Sequence, residues 1–249
     1  MFISEINDNF KKFKSDGYAI FGNIIEKSYI NEIYLKIYKK YILNNQFEKG
    51  LLVGDKRYML NIELDHSIFD QRIFANENLI EFLYKLLGKS MILESFGIVF
   101  SLPGARHQGF HRDGSVLFDA YSVEGNASIS GFLPPYAITL AIPLINIDEE
   151  TGRTEIKSNT HRYREDNQTK LIKTNLKIGS ALLWDFRTLH GGGENNSKKI
   201  RPIIYMTYSR EWWRDCDNYK KLNQKRLNLD SSFIKKVDLK YRNLFRYYF

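Results

Sequence analysis

The sequence predicts an α+β fold: a mostly helical first third followed by a β-sandwich or barrel. Three observations carry this. Apolar residues recur at helical spacing only before residue 90. From Met91 onward the chain breaks into short β-branched and aromatic runs. Turns rich in Gly and Asn separate those runs. With 249 residues, of which 43% are hydrophobic, the chain can bury one sizeable core. It has no internal repeat and no low-complexity linker, so a single domain over 1–249 is expected. Its parts are a helical portion (1–90), a β core (91–213) and a basic tail (214–249).

In chain order, residues 6–14 read as a helix and residues 17–21 as a short strand. Residues 25–41 place Tyr29, Ile30, Ile33, Tyr34, Ile37, Tyr38 and Tyr41 on one helical face. Asn76 is a helix cap before an apolar stripe running to Leu87, and Gly88 is its stop. Residues 91–102 form a long β-prone run ended by Pro103-Gly104. Further strands are expected at 136–144, 154–157, 180–186 and 202–208.

Composition excludes several classes. A single cysteine, Cys216, cannot form an internal disulfide, and it rules out cysteine-rich zinc or iron–sulfur sites. No run approaches the ~20 apolar residues of a membrane span, and residues 1–14 lack the apolar core of a signal peptide. A soluble, cytoplasmic protein is the expectation. The net charge of +8 is uneven: residues 220–249 carry nine Lys or Arg against two acidic residues, a net +7, which leaves +1 for the rest. Such a tail can touch nucleic acid or an anionic surface. The plainer reading is a solvated face on a closing helix. Phe233, Val237, Leu239, Tyr241, Leu244 and Phe245 there suggest packing, against the body or against a second copy in a homo-oligomer. No nucleic-acid or membrane partner is expected; a small-molecule substrate is.

Chemistry concentrates in two clusters. In His111-Arg112-Asp113 strand alternation sets positions 111 and 113 on one face, about 6.5 Å apart. An imidazole and a carboxylate there suit a borderline divalent ion such as Fe(II), although His-x-Asp alone is common by chance. In the second cluster a strand leads into a turn presenting His190, followed by Gly191, Gly192 and Gly193. Arg201 lies eleven residues on and opens a strand. A guanidinium at a barrel strand end needs an acid, either a protein carboxylate or a bound dicarboxylate. Two His and one Asp are the ligand set of the two-His-one-carboxylate oxygenases, and an Arg follows downstream.

At these residues the sequence resembles the phytanoyl-CoA dioxygenase family of Fe(II)/2-oxoglutarate oxygenases. The resemblance runs over roughly residues 15–213. It is carried by Asp16-Gly17-Tyr18, by residues 108–114, by Thr151-Gly152 through residues 158–162 after the strand at 140–145, and by residues 185–201 with their eleven-residue spacing. It implies a double-stranded β-helix (a cupin-like jelly roll) buttressed by helices, with His111, Asp113 and His190 on Fe(II). It implies Arg201 on the distal carboxylate of 2-oxoglutarate, with O2 as the second co-substrate. The implied reaction yields succinate and CO2 and usually hydroxylates an unactivated carbon. Asp113 argues for oxygenation over halogenation, since related halogenases carry a small residue there. The family often has Ser or Thr two residues after the distal His, where this chain has Gly192; Thr139 is the expected substitute helper to the co-substrate.

Other residues are weighed against plainer roles. His107 and His111 share the spacing of helical zinc proteases but lack the Glu base, so His107 reads as a loop residue. His161 reads as structural and His66 as surface. Trp212 and Trp213 are expected to pack the C-terminal segment. Arg57 could face the site, or sit in a solvated loop. Residues 114–135 are expected to border the substrate pocket as a lid, with Phe118 and Tyr121 as contacts. The rival functions are a cupin-type hydrolase or isomerase working without 2-oxoglutarate, and a non-enzymatic binder using the basic tail. A basic balance favours an anionic substrate.

Overall fold

The computed structural model describes residues 3–114, 117, 133–162, 169–216, 218, 225–229 and 231–248. Its helices are α1 (Ile3–Asp16), α2 (Lys27–Ile37), α3 (Gln71–Phe74), α4 (Glu77–Leu87) and α5 (Ser231–Lys236), with a 3-10 segment at Leu239–Tyr248. Its strands are β1 (Tyr18–Phe21), β2 (Leu51–Leu52), β3 (Arg57–Leu60), β4 (Ile92–Ser101), β5 (Ala137–Pro143), β6 (Thr154–Lys157), β7 (Leu171–Thr174), β8 (Ala181–Asp185), β9 (His190–Gly192) and β10 (Arg201–Ser209).

The strands form two facing sheets. The larger has the order β1-β8-β5-β10-β4-β3-β2 and the smaller β7-β6-β9. All named pairings in both sheets are antiparallel. Residues 105–111 extend the small sheet along β9, through bridges from Ala105 to Asn195 and from His111 to His190. This is the expected jelly roll, an antiparallel sandwich whose strands bury side chains on both faces at the centre. β5 and β8 are buried throughout, which is why both read as continuous apolar runs.

Helices cover the outer face of the large sheet. α4 buries Leu79, Ile80, Phe82, Leu83, Leu86 and Leu87 there. Its start is fixed by Asn76, whose side chain accepts the Asn78 N–H, and its end by Gly88 at φ 89°. Helix α2 stops at Ile37 and passes into a π-helical turn at Tyr38–Ile42. The second core, between the sheets, contains Tyr18, Ala141, Ile156, Leu182, Trp184 and Ile203.

The tail packs into its own body. Phe233, Ile234, Val237, Tyr241, Leu244 and Phe245 are buried in the main core. Those side chains therefore face this chain, while Leu239 and Tyr247 stay exposed. His66 is not a free surface residue: its ring stacks on Phe233 at 4.1 Å, with Nε2 at 2.9 Å from the Phe233 carbonyl. The two tryptophans part company. Trp213 packs on Tyr136 and Phe186, whereas Trp212 is exposed. Of the expected lid, Phe118 and Tyr121 lie outside the described residues. Among the described residues no helix is long and apolar enough to cross a membrane.

Candidate metal centre and its cavity

His190 sits on β9, where it pairs with Ile156 of β6. His111 is paired to it by two reciprocal backbone hydrogen bonds, each 2.9 Å. That bridge sets the two imidazoles side by side, with ring centroids 4.5 Å apart. Asp113 arrives differently from the expected alternation. No regular strand runs through it: the chain bends after His111, and the N–H groups of Asp113 and Gly114 both reach the Phe186 carbonyl. The bend, rather than strand pleating, turns the carboxylate toward the imidazoles. Ligand atoms of His111, Asp113 and His190 all lie within 4.8 Å of one another.

The surrounding hydrogen bonds leave the right atoms free. His111 Nδ1 lies 3.1 Å from the Gly109 carbonyl, and His190 Nδ1 lies 3.0 Å from the Thr188 carbonyl. A carbonyl only accepts, so each Nδ1 carries the proton and each Nε2 keeps its lone pair. Asp113 is divided in the same way. Its Oδ2 accepts the Thr139 hydroxyl at 2.6 Å and the Trp184 indole N–H at 2.8 Å. Its Oδ1 faces His190 Nε2 at 3.4 Å. Two imidazole nitrogens and one carboxylate oxygen, all unspent and converging, fit a ferrous ion.

The three groups are electrostatically coupled. Burial raises the Asp113 pKa, but the His190 charge and hydrogen bond, Thr139 and His111 outweigh it and hold the carboxyl at about 2. Burial lowers His190, yet Asp113 and the Thr188 carbonyl carry it above the ordinary imidazole value. His111 is lowered, by burial and then by His190.

A cavity of about 330 Å³ opens from the triad. Val53, Met59 and Val99 give it an apolar wall, and Arg57, Arg112 and Arg201 line it as well. Arg201 is buried at the start of β10, and its Nη1 donates to the Gly152 and Thr151 carbonyls. Gly152, at φ +91°, cannot be replaced without collision, because a Cβ there would stand 2.7 Å from Arg201 Nη1.

The expected site residues thus meet in one place: His111, Asp113, His190, Thr139 and Arg201 all line this cavity. Thr139 has its hydroxyl proton committed to Asp113, which makes it a support for the carboxylate. His107 stays outside the cavity lining and approaches Glu155 at 3.3 Å. His161 is buried, with Nε2 3.2 Å from the Lys14 carbonyl. Arg57 does face the site. Sequence reasoning missed Trp184, hidden as one more apolar residue in a core strand.

A jelly roll that brings two imidazoles and a carboxylate together at one cavity defines a mononuclear non-haem metal enzyme of the two-His-one-carboxylate type. The model of the family described as phytanoyl-CoA dioxygenase (PhyH) matches residues 13–203. The chain belongs to that family and is a non-haem Fe(II)/2-oxoglutarate-dependent dioxygenase, with O2 as the other co-substrate. It is 21% identical to the dioxygenase olcK of Penicillium canescens over 223 residues, covering 81% of this chain and 70% of that protein. Its fold is similar to that of the epimerase SnoN in complex with Fe3+, alpha ketoglutarate and nogalamycin RO. The TM-score is 0.67 at 12% identity, over 92% of this chain and 97% of that one. It is also similar to AviO1 from Streptomyces viridochromogenes Tue57, with a TM-score of 0.58 at 17% identity over 82% and 95% of the two chains.

Proposed function

We propose that His111, Asp113 and His190 hold the Fe(II), that Arg201 receives the distal carboxylate of 2-oxoglutarate, and that the enzyme hydroxylates an unactivated carbon of a small, anionic organic substrate. The observation that carries this reading is the sparing of His111 Nε2, His190 Nε2 and Asp113 Oδ1, while their other polar atoms are bonded elsewhere.

The chemistry supplied by the bound ion and its co-substrates is oxidative decarboxylation to succinate and CO2, coupled to oxidation of a substrate C–H bond. The protein's part is placement. Thr139 and Trp184 fix the carboxylate plane through Oδ2. Arg201 offers a buried cation where water cannot screen it. Val53, Met59 and Val99 form an apolar wall for the hydrocarbon part of a substrate, and Arg112 favours an anionic group. A cytoplasmic setting fits the single exposed, unpaired cysteine.

The test is succinate release across a metabolite library, with the product read by mass. Release that needs Fe(II) and vanishes in His111→Ala, with one oxygen atom gained by the product, is the expected result. Loss of two hydrogens, or an unchanged mass with inverted configuration, would replace hydroxylation by desaturation or epimerisation. Turnover without 2-oxoglutarate would select the cupin-type hydrolase or isomerase instead.

A further inference from the structure

One rank of side chains crosses the inner face of the large sheet. Thr207 of β10 is in register with Ser95 of β4 on one side and with Thr139 of β5 on the other, and Thr139 in turn with Trp184 of β8. Directly opposed residues project from the same face of a sheet. Thr139 and Trp184 spend their donors on Asp113 Oδ2. Thr207 and Ser95 continue the rank away from the triad, about 5 and 10 Å from Thr139 by strand spacing. Both are buried and line the cavity. Among the described residues neither hydroxyl has a hydrogen-bond partner.

A third polar group joins them. Asn61 directly follows β3, is 8% exposed and lines the cavity. Its Nδ2 donates to the Lys225 carbonyl at 3.0 Å, which fixes the orientation of the amide. Its Oδ1 has no partner. That oxygen lies over Gly97 of β4, which shares a face with Ser95 two residues away. A Cβ on Gly97 would stand 2.9 Å from Oδ1, so the missing side chain leaves the room that the oxygen takes. Asp215 also lines the cavity, its N–H donated at 3.0 Å to Glu94, the residue before Ser95. A carboxylate there disfavours an anion at this end.

A buried amide oxygen without a donor is costly, so its partner is to be sought in a ligand. The amide oxygen only accepts, whereas the two hydroxyls can donate. A ketone or carboxylate answers the hydroxyls and leaves Oδ1 unmet. An ammonium answers Oδ1 and gives the hydroxyls nothing to donate to. An alcohol does both.

We infer that Asn61, Ser95 and Thr207 form a subsite for an alcohol group of the primary substrate, which is therefore a hydroxylated molecule held by that group on the Asp113 side of the cavity. This deepens the functional reading above and rests on it.

The test uses protein loaded with diamagnetic Zn(II) and saturated with 2-oxoglutarate. It is titrated with cyclohexanol, cyclohexanone and cyclohexylammonium, probes of one carbon skeleton, and saturation-transfer NMR reads the affinities. Cyclohexanol is expected to bind about 5- to 10-fold more tightly than either of the others, the worth of one neutral hydrogen bond. Thr207→Val, Ser95→Ala and Asn61→Leu are each expected to shrink that preference, with 2-oxoglutarate bound as in wild type. Thr207→Val keeps the side-chain shape and serves where Asn61→Leu folds poorly. No preference for the alcohol in the wild-type protein, or no binding of it, overturns the subsite and leaves it to water. A preference that survives all three substitutions overturns the assignment to these residues. Weakened 2-oxoglutarate binding in Thr207→Val overturns it in favour of the co-substrate. In each of these cases the functional reading stands; failure of 2-oxoglutarate to bind the wild-type protein overturns both.

Discussion

Trp184 and Asp113, 71 residues apart in the chain, meet through an indole N–H donated to the carboxylate Oδ2 at 2.8 Å. The indole is also packed on His190, ring centroids 4.6 Å apart. One core side chain thus holds two members of the triad. Trp184→Phe keeps the packing and removes the donor, leaving Asp113 to Thr139 alone. Metal affinity should fall about 10- to 100-fold, as for other outer partners of ligating groups. A Co(II) titration measures it, and an affinity equal to wild type would show that the indole only fills space. Thr139→Val should act in the same direction.

Asp185 and Arg187 form an ion pair with almost no solvent access to either partner. Three donors of Arg187, its backbone N–H, Nε and Nη2, converge on the Asp185 carboxylate. Arg187→Met strands a buried charge and should cost about 3–5 kcal/mol in urea unfolding. The double variant Asp185→Asn/Arg187→Met should recover a large part of that loss, and a purely additive result would contradict the pairing.

The C-terminal segment is part of the core. Phe245 is fully buried and meets Phe74 and Phe233 edge-on, with centroids at 5.5 and 5.8 Å. Phe245→Ala should destabilise the protein by about 3–5 kcal/mol, read from chemical denaturation. A cost near zero would place the segment's role outside the fold.

His161 ties stability to pH. Burial lowers its pKa; the Arg187 and Arg162 charges act the same way, against Asp185 and the Lys14 carbonyl. A base with a depressed folded pKa favours the neutral form in the native state. Its contribution is complete above the unfolded value of about 6.5 and is lost as pH falls below it. His161→Asn should flatten the decline in melting temperature over that window. An unchanged slope would exclude His161 as its source.

The chemistry was more legible than the strands. His111, Asp113, His190 and Arg201 stand out because imidazoles are few and the spacing to Arg201 is distinctive. The cap at Asn76 and the stop at Gly88 follow from local backbone chemistry and need no tertiary context. By contrast β2, β3, β7 and β9 run two to four residues each, too short for alternation to register. Arg57 follows Gly54, Asp55 and Lys56, a stretch that reads as a solvated turn, and only pairing with Ser101 carries it inward. Trp184 is invisible for the opposite reason: nothing in an apolar strand announces that one member also donates a hydrogen bond. The two adjacent tryptophans look equivalent on paper, yet only the fold decides which one turns inward.

The reciprocal main-chain bonds between His111 and His190 have a final consequence. They join main-chain atoms, so the two histidine-bearing segments are tied by the backbone itself and not only through their imidazoles; chelation should therefore yield an intact, refillable protein rather than unravel the fold.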